Sequence, residues 1–185
     1  MTYGDQPGTY SGLAKFLHWA VAASVLTTIP VAFAMNNIAG GPLQDFLYNF
    51  HKSIGILILA LMIARIGYRL AHGAPAPYAG LKAWERALSS AVHGLLYVLL
   101  IAMPLVGWAA NSAYGASTPF FGLFNLPPIL PKNPPLSDTL FMLHRWTGWA
   151  VAALAAAHIG GALKHFVIER DGVLQRMLPK ALGGM

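Results

Sequence analysis

Residues 140–165, LFMLHRWTGWAVAALAAAHIGGALKH, form a stretch apolar enough to cross a bilayer that nevertheless carries three histidines. No other feature limits the fold as tightly. His144 and His158 are fourteen residues apart, close to four whole helical turns, so both rings leave one face, about 21 Å apart along the axis. A histidine inside a membrane span is costly unless it has a partner, and two on one face point to something bound inside a bundle. Three further histidines, His18, His51 and His93, fall inside other apolar runs.

The surroundings of these histidines are lipid-like throughout. The 185 residues are 56% hydrophobic and only 10% charged, with a mean hydropathy of +0.55. That is too apolar for a soluble domain and long enough for about four spans. There is no cysteine, which excludes disulfides, thiolate metal sites and covalent haem attachment. The net charge of +6 comes from basic residues flanking apolar runs rather than from an interleaved patch, which argues for membrane orientation and against nucleic acid.

Taken in order, residues 1–15 read as a short polar tail. The first span covers residues 16–35, carrying His18 about one turn inside and Pro30 in its last turns. Its apolar run is too long for a signal-peptide core and is expected to be retained. The second span covers residues 46–70, opens on HKSIG with His51, and ends with Arg65 and Arg69. A link rich in proline and glycine leads to the third span, residues 84–110, which contains His93 and is expected to kink at Pro104. Residues 111–137 include PFFGLFNLPPILPKNPP. The prolines argue against a span and the aromatic residues against a solvated linker, so this segment should lie along the interface or cap the bundle. The fourth span covers residues 138–167. The expected fold is all-α, an integral membrane up-down-up-down four-helix bundle in a single domain, residues 1–185.

Basic residues set the orientation. With the N-terminus cytoplasmic, that side receives Lys15, Arg65, Arg69, Lys82, Arg86, Lys164, Arg170, Arg176 and Lys180, against Lys52, Lys132 and Arg145 opposite. Both termini are therefore expected in the cytoplasm. His51 and His144 then share an outer layer, while His18, His93 and His158 lie in the inner half and His165 nearest the inner surface. Iron in a b-type haem accepts two neutral imidazoles from facing helices. The outer layer offers one pair, His51 with His144. In the inner layer, depth alone allows His18 to pair with either His93 or His158.

A local echo supports the outer pair: His51-Lys52-Ser53-Ile54-Gly55 and His144-Arg145-Trp146-Thr147-Gly148. Gly55 and Gly148, four residues on, lie on the histidine's own face and clear room for a flat ring, while Lys52 and Arg145 can approach a haem propionate. Buried carboxylates are not expected, because all six acidic residues, Asp5, Asp45, Glu85, Asp138, Glu169 and Asp171, sit at span ends or in tails. A di-iron carboxylate site is excluded on that ground.

FLHW, HKSIG, HGLLYVLLIAMPLVGW, LHRWTGW and AAAHIGGALKH together resemble the bacterial cytochrome b561 family, related to the cytochrome b subunits of nickel-iron hydrogenases and formate dehydrogenases. The resemblance covers roughly residues 10–178. It implies a di-haem b protein of the bacterial inner membrane that passes electrons between a donor and the quinone pool, ubiquinone or menaquinone. The related subunits also carry two ligands fourteen residues apart on one helix. The resemblance therefore implies His18 with His158 for the inner haem, His51 with His144 for the outer, and no iron on His93. Stand-alone relatives imply superoxide oxidation with ubiquinone reduction, which would make the chain an enzyme. The competing implication is a membrane-anchor subunit fed by a partner redox subunit of a dehydrogenase or hydrogenase. Quinone is expected beside the inner haem, near His93, His165 and Arg65, bordered by Arg69 and Lys164.

Overall fold

The computed structural model describes residues 8–178; Asp5 and Lys180, which entered the charge arguments above, lie outside them. Four long helices run Gly12–Asn37 (α1), Pro42–His72 (α2), Ala83–Tyr114 (α3) and Pro134–Lys164 (α4). α1, α2 and α3 extend beyond the apolar runs that defined them, and α4 begins before its run but ends at Lys164, short of the expected 167, where a π-helical turn takes over. Local backbone and capping chemistry, rather than hydropathy, stops a helix. Ser11 Oγ accepts the Ala14 N–H at 3.3 Å to open α1, and Asn133 Oδ1 accepts that of Leu136 at 3.2 Å to open α4. At α3, Glu85 Oε2 accepts the Lys82 N–H at 3.1 Å. Gly115, at φ 90°, ends the same helix in the left-handed conformation that glycine adopts without strain. Pro30 and Pro104 lie inside α1 and α3, and neither interrupts its helix.

Consecutive helices pack side by side, α1 on α2, α2 on α3 and α3 on α4. All four are long and apolar enough to cross a membrane. Side chains such as Phe33, Ile63, Leu70, Trp146 and Trp149 are exposed on the outside of the bundle, where lipid makes exposure costless. The core inside is a single cluster of Val21, Val25, Ile54, Ile58, Met62, Leu100 and Val151. Its members repeat at helical spacing: Val21 and Val25 on α1, Ile54, Ile58 and Met62 on α2. Val151 stands midway along α4 between His144 and His158. The core is thus an apolar middle layer with a histidine layer on either side, held by close packing because lipid provides little hydrophobic drive between helices.

The connection between α3 and α4 contains an antiparallel hairpin that the sequence reading did not foresee, Thr118–Phe120 (β1) with Phe124–Leu126 (β2), in the register Thr118 opposite Leu126 and Phe120 opposite Phe124. Its turn places Phe121 and Gly122 at φ 50° and 74°, the two positive values of a type I′ turn. The hairpin is pinned to α2 through buried Ser53, whose Oγ accepts the Phe121 N–H at 2.9 Å and lies 2.8 Å from the Asn49 carbonyl and 3.1 Å from that of Pro119. Asn111 Nδ2 holds the approach, donating toward the carbonyls of Ala116 and Ser117 and Thr118 Oγ1 at 3.0, 2.9 and 2.7 Å. The segment caps the bundle end, as one of the two expectations had it.

At the opposite end α4 passes into a π-helical turn, His165–Glu169, and a short 3₁₀ turn, Leu174–Arg176. This C-terminal cap folds back over α1. Trp19 Nε1 donates to the Met177 carbonyl at 2.8 Å, and Arg176 donates to the carbonyls of Gly8 and Ala76.

Candidate functional site

At the hairpin end, α2 and α4 bring His51 and His144 face to edge, with ring centroids 6.0 Å apart and planes at 82°. Each ring is held from behind. His144 Nδ1 donates to the Met103 carbonyl at 3.0 Å, which leaves Nε2 with its lone pair for a metal. His51 Nδ1 lies 3.1 Å from the buried hydroxyl of Thr28 on α1. All four helices therefore aim this one pair. Gly107 on α3 makes the fit possible, because a Cβ there would sit 2.8 Å from His144 Cε1 and 3.0 Å from Nδ1.

At the termini end three imidazoles meet. His18 and His158 have centroids 5.9 Å apart with planes at 76°, whereas His93 and His158 are only 4.9 Å apart at 81°. Two imidazoles on opposite faces of one metal need centroids roughly 6 Å apart, from two metal–nitrogen bonds of about 2 Å plus a ring radius of about 1 Å at each side. The His51–His144 and His18–His158 separations meet that requirement and His93–His158 does not. His93 is also exposed; its Nδ1–H donates to the Ser89 carbonyl of its own helix at 2.6 Å, which leaves its Nε2 as free as that of His144.

The glycines expected to clear a ring face do leave space. A Cβ at Gly55 or at Gly148 would meet nothing within 4 Å, so a flat ligand can lie against α2 and α4 beside His51 and His144. The residues present fit haem. The basic neighbours are placed differently from each other. Lys52 Nζ donates to the Ser117 carbonyl at 3.0 Å and so supports the hairpin, while Arg145 is exposed.

Among the residues expected around a quinone, Arg65 lies close enough to act electrostatically on both His18 and His158. Its Nε donates to Tyr97 Oη at 3.0 Å and its Nη1 to the Ala14 carbonyl at 3.3 Å. Arg65 and Arg69 flank the Tyr97 ring at 5.7 and 5.8 Å. Together with Tyr10 and Tyr68 they line an open, shallow cleft. Lys164, expected to border the same region, is engaged in ion pairs. It turns to Glu85 at 2.6 Å and Glu169 at 3.1 Å, joining the start of α3 to the end of α4. His165 likewise departs from the regular helical progression assumed for it, since α4 ends at Lys164 and His165 opens the π-helical turn, where its Nδ1 meets Asp171 Oδ2 at 2.6 Å.

Sequence reasoning missed Thr28, Met103, Gly107 and Asp171. Depth could have suggested Thr28 and Gly107, which lie on α1 and α3 at the level of His51 and His144. Nothing in the sequence marks a helix carbonyl such as that of Met103 as an acceptor for another helix.

A membrane-spanning four-helix bundle with facing imidazoles in its interior and no cysteine is the architecture of a membrane cytochrome b, whose haem is held without covalent attachment. The sequence comparison gives the family. Residues 9–180 match the model of prokaryotic cytochrome b561, and the chain belongs to that family, which binds haem b. It is 30% identical to cytochrome b561 homolog 2 of Escherichia coli (strain K12) over 185 residues, covering 98% of this chain and 97% of that protein. It is 30% identical over 174 residues to the probable superoxide oxidase CybB of Yersinia pestis, covering 94% and 98%. Cytochrome b562 of Cereibacter sphaeroides is 26% identical over 182 residues, covering 94% and 97%.

Proposed function

We propose that this membrane cytochrome binds two haem b groups, one between His51 and His144 and one between His18 and His158, and passes electrons from a donor at the hairpin end to membrane quinone at the termini end. The observation that carries the reading is the ring separation, 6.0 and 5.9 Å in these two pairs, and the choice of His158 over His93 as the partner of His18 follows the family resemblance. Bound haem supplies reversible one-electron storage at its iron. The chain supplies the rest. The Met103 carbonyl and the Thr28 hydroxyl orient the rings of one pair, Gly55 and Gly148 leave room beside it, and the Arg65 guanidinium sets a positive charge near the other.

The chain sits in the bacterial inner membrane with both termini cytoplasmic, on the distribution of lysine and arginine between its two ends. The donor in this reading is a small anion such as superoxide. The printed name of the Yersinia relative supports it, as does the positive charge of Lys52, Lys132 and Arg145 at the hairpin end. Quinone reacts at the other end, near His93, His165 and Arg65.

Pyridine haemochrome analysis of protein purified with ample haem tests the assignment, with about two haem b per chain expected. Replacing His51 or His144 by Ala removes one haem, and replacing His18 or His158 removes the other. His93→Ala keeps both. A stoichiometry of one, or loss of a haem in His93→Ala with retention in His158→Ala, would overturn the ligand set.

A further inference from the structure

The turn that follows α4 holds an acid–imidazole pair that the haem-binding reading does not use. His165 Nδ1 and Asp171 Oδ2 are 2.6 Å apart, and the two side chains are only 13% and 17% exposed. The geometry is built rather than incidental. Arg170 and Gly172, on either side of Asp171, take left-handed conformations at φ 52° and 85°, folding the chain back so that the carboxylate reaches the imidazole. The second carboxylate oxygen is fixed as well, accepting the Val173 N–H at 3.0 Å. The imidazole opens a π-helical turn, an irregularity that is frequent at functional sites.

Two further observations concern the cap that carries Asp171. The cap that carries Asp171 is tied by the Trp19–Met177 hydrogen bond to α1, and the Trp19 ring contacts that of His18 at 5.4 Å. Four residues beyond Asp171, Gln175 Oε1 is buried and is the one such side-chain atom without a partner among the described residues. A buried unpaired acceptor is costly and calls for a donor from outside the protein or from water.

We propose that Asp171 and His165 form the proton-delivery pair for quinone reduction, with Asp171 the positioning residue and His165 the acid, an inference that rests on the quinone reading above. Asp171 accepts from Nδ1–H and fixes that tautomer, so that Nε2 faces away from the carboxylate as the exchangeable position. Reduction of one quinone to quinol consumes two electrons, delivered singly from the reduced haem cofactor, and two protons. One proton leaves Nε2 of the His165 imidazolium as an O–H bond forms at a quinone oxygen, and is replaced from the aqueous side. The second comes from water. Gln175 Oε1 accepts a hydrogen bond from the new quinol hydroxyl.

Asp171→Asn separates this role from a structural one. The amide oxygen can still accept the Val173 N–H and keep the turn. Its NH₂ group, however, donates to His165 Nδ1, which locks the imidazole with Nε2 protonated and stops it from taking a second proton. The purified holoprotein is reduced and then mixed with decylubiquinone, which must gain protons, or with ferricyanide, which accepts one electron and no proton. In Asp171→Asn, oxidation by decylubiquinone should slow by about 100-fold, the scale of general acid catalysis, with ferricyanide oxidation and both haem spectra as in the wild type. Asp171→Glu should recover part of the rate. Should Asp171→Asn fail to assemble, His165→Gln is subjected to the same comparison. A wild-type rate with decylubiquinone, or equal slowing with both oxidants, overturns the proposal. Wild-type protein that ferricyanide oxidises and decylubiquinone does not would instead overturn the quinone reading itself.

Discussion

Gly107→Ala is a one-methyl perturbation aimed at a single pair of imidazoles. The new Cβ would lie 2.8 Å from His144 Cε1, leaving the ring roughly 0.6 Å short of the 3.4 Å at which ordinary contact begins. His144 cannot retreat freely, because its Nδ1–H is bound at 3.0 Å to the carbonyl of Met103, one turn before Gly107 on α3. Overpacking by a methylene-sized group costs about 1–3 kcal/mol, and loosening that hydrogen bond adds about 1 kcal/mol. Taking about 2 kcal/mol as the lower end, the group held between His51 and His144 should bind roughly 30-fold more weakly, at tenfold per 1.4 kcal/mol. The bundle should not weaken in proportion, since alanine favours a helix over glycine by about 1 kcal/mol. Haem-to-protein ratio and absorption spectrum, measured after dialysis against a haem acceptor, read the effect directly. On the two-haem proposal, loss or a spin-state change confined to one haem is expected. Two haems retained at wild-type strength with unaltered spectra would refute the argument that Gly107 seats His144.

Two other outcomes can be checked on the same material. Ser53→Ala removes the hydroxyl that joins the hairpin to α2, at a cost of about 1–3 kcal/mol for the backbone groups left unpaired, and should make residues 118–126 markedly more open to limited proteolysis while leaving helix content intact. Because the chain has no cysteine, single cysteines at Lys132 and at Lys82 can be labelled in intact cells with an impermeant maleimide. Labelling at Lys132 alone is expected, and labelling at Lys82 alone would invert the orientation drawn from charge.

The helices were legible because a membrane removes most alternatives. An apolar run of twenty residues can only be a helix if its backbone groups are to be satisfied, and histidines inside it then sort by depth through the helical rise alone. Lateral detail was not legible. His93 and His158 share a depth with His18, and only the packing of α3 against α4 sets the 4.9 Å separation between the His93 and His158 rings. Gly55 and Gly107 are the same residue in equally apolar surroundings, yet one faces open space and the other a ring. The hairpin was hidden because three-residue strands are too short to show alternation, and its turn puts Phe121, not only a glycine, at positive φ. Lys164 was expected only to border a binding site, and its ion pair was not legible. Its partner Glu85 lies 79 positions away, beyond the reach of any local pattern.

His144 and His158 ride on one uninterrupted helix, α4, with no hinge between them. The helix is therefore a rigid ruler: sliding or turning it in the bilayer displaces both rings together, and neither pair can be adjusted alone. A slip of one residue in the placement of α4 turns both rings by about 100° away from His51 and His18. Assembly is thus a single choice of register made once for the whole molecule, and the distance between its two imidazole layers is written into the covalent chain rather than negotiated by packing.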